Sequence, residues 1–187
     1  LDGDGVVQIM RICVARDRPF LVLESLGGRT LEQFIESGAA LSARLRAMAR
    51  LARIVARVHG RGVVHRDIKP GNVMIDAGGP TLFDFGLAVD LGQVVLRSIA
   101  GTLPFAAPEQ VCGGPGASSP LVDVYGLGAT LYTLVCARPP RAPESGETAV
   151  FTSGLVDAVA RARRGDIDLE PLDGLVDGGR IPPALRR

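Results

Sequence analysis

The chain is almost without lysine. It carries 21 basic residues, and Lys69 is the single lysine among them; the others are arginine. Aromatic residues make up only 4%, and no basic stripe interleaved with aromatics occurs. With a formal net charge of +1, that composition argues against nucleic acid as the main partner. Cysteines number three (Cys13, Cys112, Cys136), widely spaced and without C-x-x-C, and neither of the two histidines stands at ligand spacing from them. The pattern reads as free thiols in a reducing cytosol and gives a zinc centre no ligand set. No long hydrophobic run is present. The longest, Val124 to Ala137, is too short to span a bilayer and reads as a buried helix, and no signal peptide shows at the start. The expected location is the cytoplasm, with any membrane tether lying outside this chain.

What is present is a core. Hydrophobic residues make up 47% of 187, enough for one packed domain and against disorder. The first residue is leucine, and the final "IPPALRR" reads as a helix beginning, so both ends are expected to be cut. The richness in Ala, Gly and Arg fits a GC-rich bacterial genome.

Apolar runs at Val6–Cys13 and Phe20–Leu23, separated by "ARDRP", predict a β-hairpin. Gly27 and Gly28 break the chain, and Thr30 with Gln33 three residues on is a capping-box pattern before a short helix. Ser42 is expected to cap a longer helix to about Val58, with Leu45, Met48, Ala52 and Val55 on its apolar face and arginines opposite. Met48 reads as core filler and His59, at the end of that stripe, as structural. Val63–Val64 is expected to pair with Val73–Ile75, followed by a strand at Thr81–Phe83 after a turn at Gly78–Pro80. Residues 86–120 read as mostly irregular, a length that is usually functional inside a domain. Helices are predicted again at Leu121–Cys136 and Leu155–Arg163.

Three pieces carry chemistry: "HRDIKPGN" (65–72), "DFG" (84–86) and "APE" (107–109). Asp67 and Asn72 lie five apart in one loop, so both side chains can turn into one cleft. Asp84 follows a strand, and Gly86 lets the backbone reverse after it. Carboxylates beside an amide oxygen suit Mg²⁺, which takes few protein ligands and fills the rest with water and phosphate. Lys69 adds a compact, mobile positive charge that suits a phosphate moving during reaction better than a bulkier arginine would. This is equipment for phosphoryl transfer.

These motifs resemble the signature set of eukaryotic-like serine/threonine protein kinases of the bacterial branch. "FLVLESLGGRTLEQFI" resembles the end of the small lobe, the hinge and the first large-lobe helix. "GTLPFAAPEQ" resembles the substrate-facing end of an activation segment, and "DVYGLGATLYTLVCARPP" the central large-lobe helix. The resemblance covers nearly the whole chain. It implies an α+β, protein-kinase-like fold: residues 1–24 a strand remnant of the small lobe, 25–28 the hinge, and 29–187 the helical large lobe.

By the same resemblance, Asp67 would accept the proton of a substrate hydroxyl, Lys69 would steady the γ-phosphate of ATP, and Asn72 and Asp84 would hold Mg²⁺. Leu23 would be the gatekeeper, with backbone groups of Glu24 and Leu26 pairing adenine. Thr102 would fix the catalytic loop and favour Ser/Thr acceptors, and Asp123 would brace that loop from below. Ile12, His65 and Phe85 would stack in a regulatory spine. Arg66 would pair with a phosphorylated activation loop, Ser98 being the candidate phosphosite. Implied partners are ATP, proteins with Ser/Thr acceptors, and a kinase dimer for activation.

The departures are as specific. "DGDG" does not fit G-x-G-x-x-G, no second lysine exists, and a helix glutamate to pair with it is absent. The arginine that would pair with Glu109 would lie beyond Arg187. The chain is therefore expected to be an excerpt that transfers phosphate poorly by itself. Two other readings stand beside the kinase: a pseudokinase scaffold, and a small-molecule phosphotransferase of the aminoglycoside-kinase type. "GTLPFAAPE" favours a protein substrate over the latter.

Overall fold

The computed structural model describes residues 5–91, 102–113 and 115–140. The chain opens with a hairpin, β1 (Ile9–Ala15) and β2 (Arg18–Leu23), paired antiparallel with Ile12 opposite Leu21 and Val14 opposite Pro19. Arg16 and Asp17 form its two-residue turn, both at positive φ (50° and 60°), the conformation that matches strand twist in tight hairpins. The predicted first strand began at Val6. Val6 instead bridges in parallel to Leu82 and is buried in the core, because the Val7 N–H is taken by the Leu82 carbonyl at 3.0 Å.

β3 (Arg29–Thr30) leads into α1 (Leu31–Glu36). Thr30 caps that helix in a complete capping box: its hydroxyl accepts the Gln33 N–H, and the Gln33 side chain accepts the Thr30 N–H. The long helix α2 (Leu41–Gly60) follows. Its N-cap is Ala40 rather than Ser42, and no side chain caps it. Arg44 compensates at that end by donating to the carbonyls of Ala39, Ile35 and Leu134, which ties α2 to the last helix.

β4 (Val63–Val64) pairs with β7 (Val89–Asp90), and not with β5 (Val73–Ile75) as predicted. β5 lies between β3 and β6 (Pro80–Leu82), one residue earlier than the expected Thr81–Phe83. Runs of two and three residues have no register of their own, so distant partners set it. Within the stretch expected to be irregular, α3 (Pro108–Cys112) and a 3₁₀ turn at Pro115–Ser118 form, before α4 (Leu121–Cys136). The helix predicted at Leu155–Arg163 lies outside the described residues.

The main core joins Leu51, Ile54, Val55 and Val58 of α2 to Leu31 and Ile35 of α1, Val73 and Leu82 of the three-stranded sheet, and Leu134 of α4. Met48 belongs to it. Burial of each such side chain is worth about 1.5–3 kcal/mol, so α2 is the post on which the rest is hung. α4 closes against the loop after β4 through Gly126, where a Cβ would stand 3.0 Å from the Ile68 carbonyl oxygen.

Candidate active site

The loop between β4 and β5 is polar and yet buried. His65 is fully buried, Asp67 is 7% exposed and Asn72 4%. Side chains delivered from later in the chain make this affordable. Asp123, in the first turn of α4, accepts the His65 N–H (2.8 Å) and the His59 ring (2.7 Å) on Oδ2, and the Arg66 N–H (2.7 Å) on Oδ1. The last bond holds Arg66 at φ 69°, a left-handed conformation that non-glycine residues rarely keep without such support.

Asp67 is saturated by four donors. Oδ1 accepts the backbone N–H (2.9 Å) and the hydroxyl (3.0 Å) of Thr102. Oδ2 accepts from Lys69 Nζ (2.7 Å) and Asn72 Nδ2 (2.9 Å), and Lys69 also donates to Thr102 Oγ1 at 2.6 Å. Burial pushes the Asp67 carboxyl up, but the Lys69 ammonium and the two Thr102 donors outweigh it and hold it below the usual carboxylate value. Asp67, Lys69, Asn72 and Thr102 thus form one cluster.

Asp84 reaches the site through the backbone. The Phe83 N–H donates to the Asn72 carbonyl at 3.0 Å, so the next residue leaves β6 beside Asn72. Asp84 has φ 62° and an exposed carboxylate, with a single long contact from the Gly86 N–H at 3.4 Å. The Asn72 amide nitrogen is spent on Asp67, which leaves its oxygen as the acceptor. That donor set, one amide oxygen and one exposed carboxylate, fits a hard cation that keeps most of its waters. Among the described residues no group of three or more His, Cys, Asp or Glu that could hold a metal ion assembles.

His65 meets Phe85 edge-on with ring centroids 4.6 Å apart. Ile12 does not complete that stack: it stands on the hairpin 71% exposed, because β1 and β2 pair only with each other among the described residues. Leu23 ends β2 and is exposed. The Glu24 N–H is taken by the Gln8 carbonyl (3.0 Å), while its carboxylate accepts the Gln8 N–H (2.8 Å). Leu26 follows, half-buried. Glu109 lies half-buried in the first turn of α3, and Ser98 lies outside the described residues.

Arg66 is 4% exposed, and among the described residues its Nε and one terminal nitrogen find no hydrogen-bond partner. Burial pulls its pKa down and the Asp123 carboxylate opposes this; a guanidinium stays charged regardless. Sequence reasoning missed Gln110, which is 1% exposed. Its Nε2 donates to the Arg66 carbonyl (2.8 Å) and its Oε1 accepts the Ala107 N–H (2.9 Å), joining α3 to the loop between β4 and β5. The only signal available was a polar residue directly after the "APE" run.

The family profile of the protein kinase domain matches residues 1–164. The chain belongs to the protein kinase domain family. It is 33% identical over 156 residues to serine/threonine-protein kinase PrkC of Bacillus subtilis, a match covering 80% of this chain and 23% of that protein. It is 36% identical over 149 residues to serine/threonine-protein kinase PkaA of Streptomyces coelicolor (75% and 27%). It is 37% identical over 161 residues to the DNA damage-responsive serine/threonine-protein kinase RqkA of Deinococcus radiodurans (81% and 24%). The chain thus spans about a quarter of the length of these relatives. Its α+β arrangement of helices and small sheets is that of a kinase domain in part, and none of its described helices is long and apolar enough to cross a membrane.

Proposed function

We propose that this kinase domain transfers the γ-phosphoryl group of ATP to serine and threonine hydroxyls of proteins, in the cytoplasm where ATP is found. The observation that carries the reading is the Asp67 cluster: an ionised carboxylate, a lysine and a threonine hydroxyl within hydrogen-bond reach of one another. In this reading residues 1–24 belong to the small lobe, 25–28 are the hinge and 29–187 the large lobe. Asp67 takes the proton from the acceptor hydroxyl, and its depressed pKa keeps it ionised at neutral pH. Lys69 steadies the transferred group, and Thr102 locks the carboxylate to the substrate-facing segment. Asn72 and Asp84 would hold Mg²⁺, which when bound neutralises charge on the phosphates. The Glu24 N–H is already spent on Gln8, so adenine pairing falls to the Glu24 carbonyl and the Leu26 N–H, with Leu23 as gatekeeper. Arg66 is a buried cation with unmet donors, which suits a phosphate on Ser98 of the activation segment.

The test is transfer of label from γ-labelled ATP, with Mg²⁺, to a protein rich in Ser and Thr by the full-length protein that carries this domain, since this chain by itself is expected to transfer poorly. Asp67→Asn is expected to lower kcat by about 10²–10⁴-fold, the span of lost acid–base catalysis. Transfer unchanged by Asp67→Asn overturns the assignment. ATP binding by the full-length protein without any transfer favours the scaffold reading.

A further inference from the structure

Helix α2 contains five arginines and no acidic residue over Leu41–Gly60. Arg44 is used internally, on three backbone carbonyls. Arg46, Arg50 and Arg53 are spaced i, i+4, i+7, so they fall on one stripe, opposite the face that enters the core. Like charges at such spacing repel, and nothing within the helix relieves them. A surface helix ordinarily alternates its charges.

The stripe borders a cleft of about 460 Å³ between α1, α2 and the turn joining β5 to β6. That is within the range of clefts that hold ligands, roughly 300–1,000 Å³. Its other walls are apolar, formed by Phe34, Ala47, Ile75 and Pro80 among others. The cleft has built features as well as composition. Arg50 Nη1 donates to the Gly78 carbonyl at 3.0 Å, which fixes one guanidinium at the rim. Gly79, at φ 122°, makes room for it, since a Cβ there would lie 2.6 Å from Arg50 Nη1. Asp76, the acid of that turn, is committed to the N–H groups of Gly78 and Gly79. Among the described residues no hydrogen bond or ion pair engages Arg46 or Arg53, and both are exposed.

We propose that this cleft docks an acidic segment of a partner protein, with one apolar side chain seated against Phe34 and Ile75 and flanking carboxylates on Arg46 and Arg53. Charge complementarity selects that occupant. The charged side chains that line the cleft are all arginines, in fork geometry suited to carboxylates, and its other lining side chains are apolar. A bare polyanion leaves the floor uncovered, and an apolar peptide leaves the arginines unmet. None of the lining residues belongs to the Asp67 cluster, so the site would recruit a substrate or regulator rather than take part in transfer. It stands independently of the phosphotransfer reading.

The experiment is fluorescence anisotropy of the protein with a labelled peptide in which leucine is flanked on both sides by glutamates. Saturable binding is expected, weakened at least ten-fold by glutamine in place of the glutamates and several-fold by alanine in place of the leucine. The double variant R46E/R53E is expected to weaken it at least ten-fold. Both sites are exposed, and far-UV circular dichroism checks that the fold is kept; R46Q/R53Q repeats the test without charge reversal. Three results overturn the proposal: no binding, binding indifferent to both double variants, or inorganic polyphosphate competing as well as the peptide while the leucine has no effect. The last would leave a simple anion-attracting surface.

Discussion

The hairpin β1–β2 and the loop from Val64 to Val73 place their side chains in opposite ways. In the hairpin the apolar residues face out: Ile12 is 71% exposed, Val14 69% and Met10 64%. In the loop the polar residues are inside, with His65, Asp67 and Asn72 all buried. The difference lies in the range over which each finds its partners. A hairpin closes on itself across a two-residue turn, so local pattern is enough to form it. A buried polar loop must have each donor and acceptor matched, and the matches here come from afar. Asp123 is 58 residues from His65, Gln110 is 44 from Arg66 and Thr102 is 35 from Asp67. The loop therefore exists only once α3 and α4 are in place.

The largest effect should come from removing the farthest partner. Asp123→Ala strips the acceptor from two backbone N–H groups and from His59 at once. Buried donors left unmet cost about 1–3 kcal/mol each, partly relieved by water, so a total loss of about 3–5 kcal/mol is expected in urea denaturation. Asp123→Asn, which keeps the shape and one acceptor oxygen, should cost about half as much. A loss below about 1 kcal/mol for the alanine variant would break the comparison, because the loop would then be buried by something other than its distant carboxylate.

A smaller effect separates two groups within the loop. The Asp67 N–H donates to His65 Nδ1 at 3.2 Å, and Nε2 faces the Phe83 carbonyl at 3.0 Å, so the ring is held neutral with its proton on Nε2. Burial drives the His65 pKa below 6.5, against the pull of the Phe83 carbonyl and the carboxylates of Asp123, Asp67 and Asp84. Below pH 6.5 the unfolded chain binds a proton that the folded chain refuses, so stability falls as pH drops from there toward the folded value. Asp67 has the opposite reference: its pKa is depressed below 3.8, so its contribution is complete above that pH and is lost only in stronger acid. The unfolding free energy of the wild type, from urea titrations, should therefore decline from pH 6.5 to 5 by up to about 1.4 kcal/mol per pH unit. His65→Asn, less stable throughout, should show a flatter profile in that window. Parallel profiles would remove His65 as the cause.

The same contrast explains what the sequence disclosed. The hairpin, the capping box at Thr30, the core face of α2 and the helix at Leu121–Cys136 were legible because each rests on spacing within a few residues. The register of β4 was not, because two valines pair equally well with any short strand, and Val89–Asp90 was brought to them by the turn after Phe85. Asp67, Lys69, Asn72 and Thr102 were legible as residues, and the structure brings these four together. Gln110 was not, since its role depends on the Arg66 carbonyl 44 positions earlier. Ile12 was assigned to a stack by resemblance and stands outside it, because its exposure is a matter of what covers the hairpin and not of its own strand propensity.

The smallest effect on stability, and the most telling one for the hairpin, concerns that exposed face. Cross-strand register puts Ile12 beside Leu21 and Val14 beside Pro19, making one apolar surface on a sheet that has two strands among the described residues. Such a surface invites association between copies. Ile12→Thr with Val14→Thr keeps the β-branched shape while replacing apolar atoms with hydroxyls. Because both side chains are already in water, the change in unfolding free energy should stay within about 0.5 kcal/mol. Self-association, followed by sedimentation velocity at rising protein concentration, should fall. If the double variant instead loses more than about 1 kcal/mol, the face is covered in solution. The two regions would then obey one rule, with the hairpin, like the buried polar loop, depending on a partner that its local sequence does not supply.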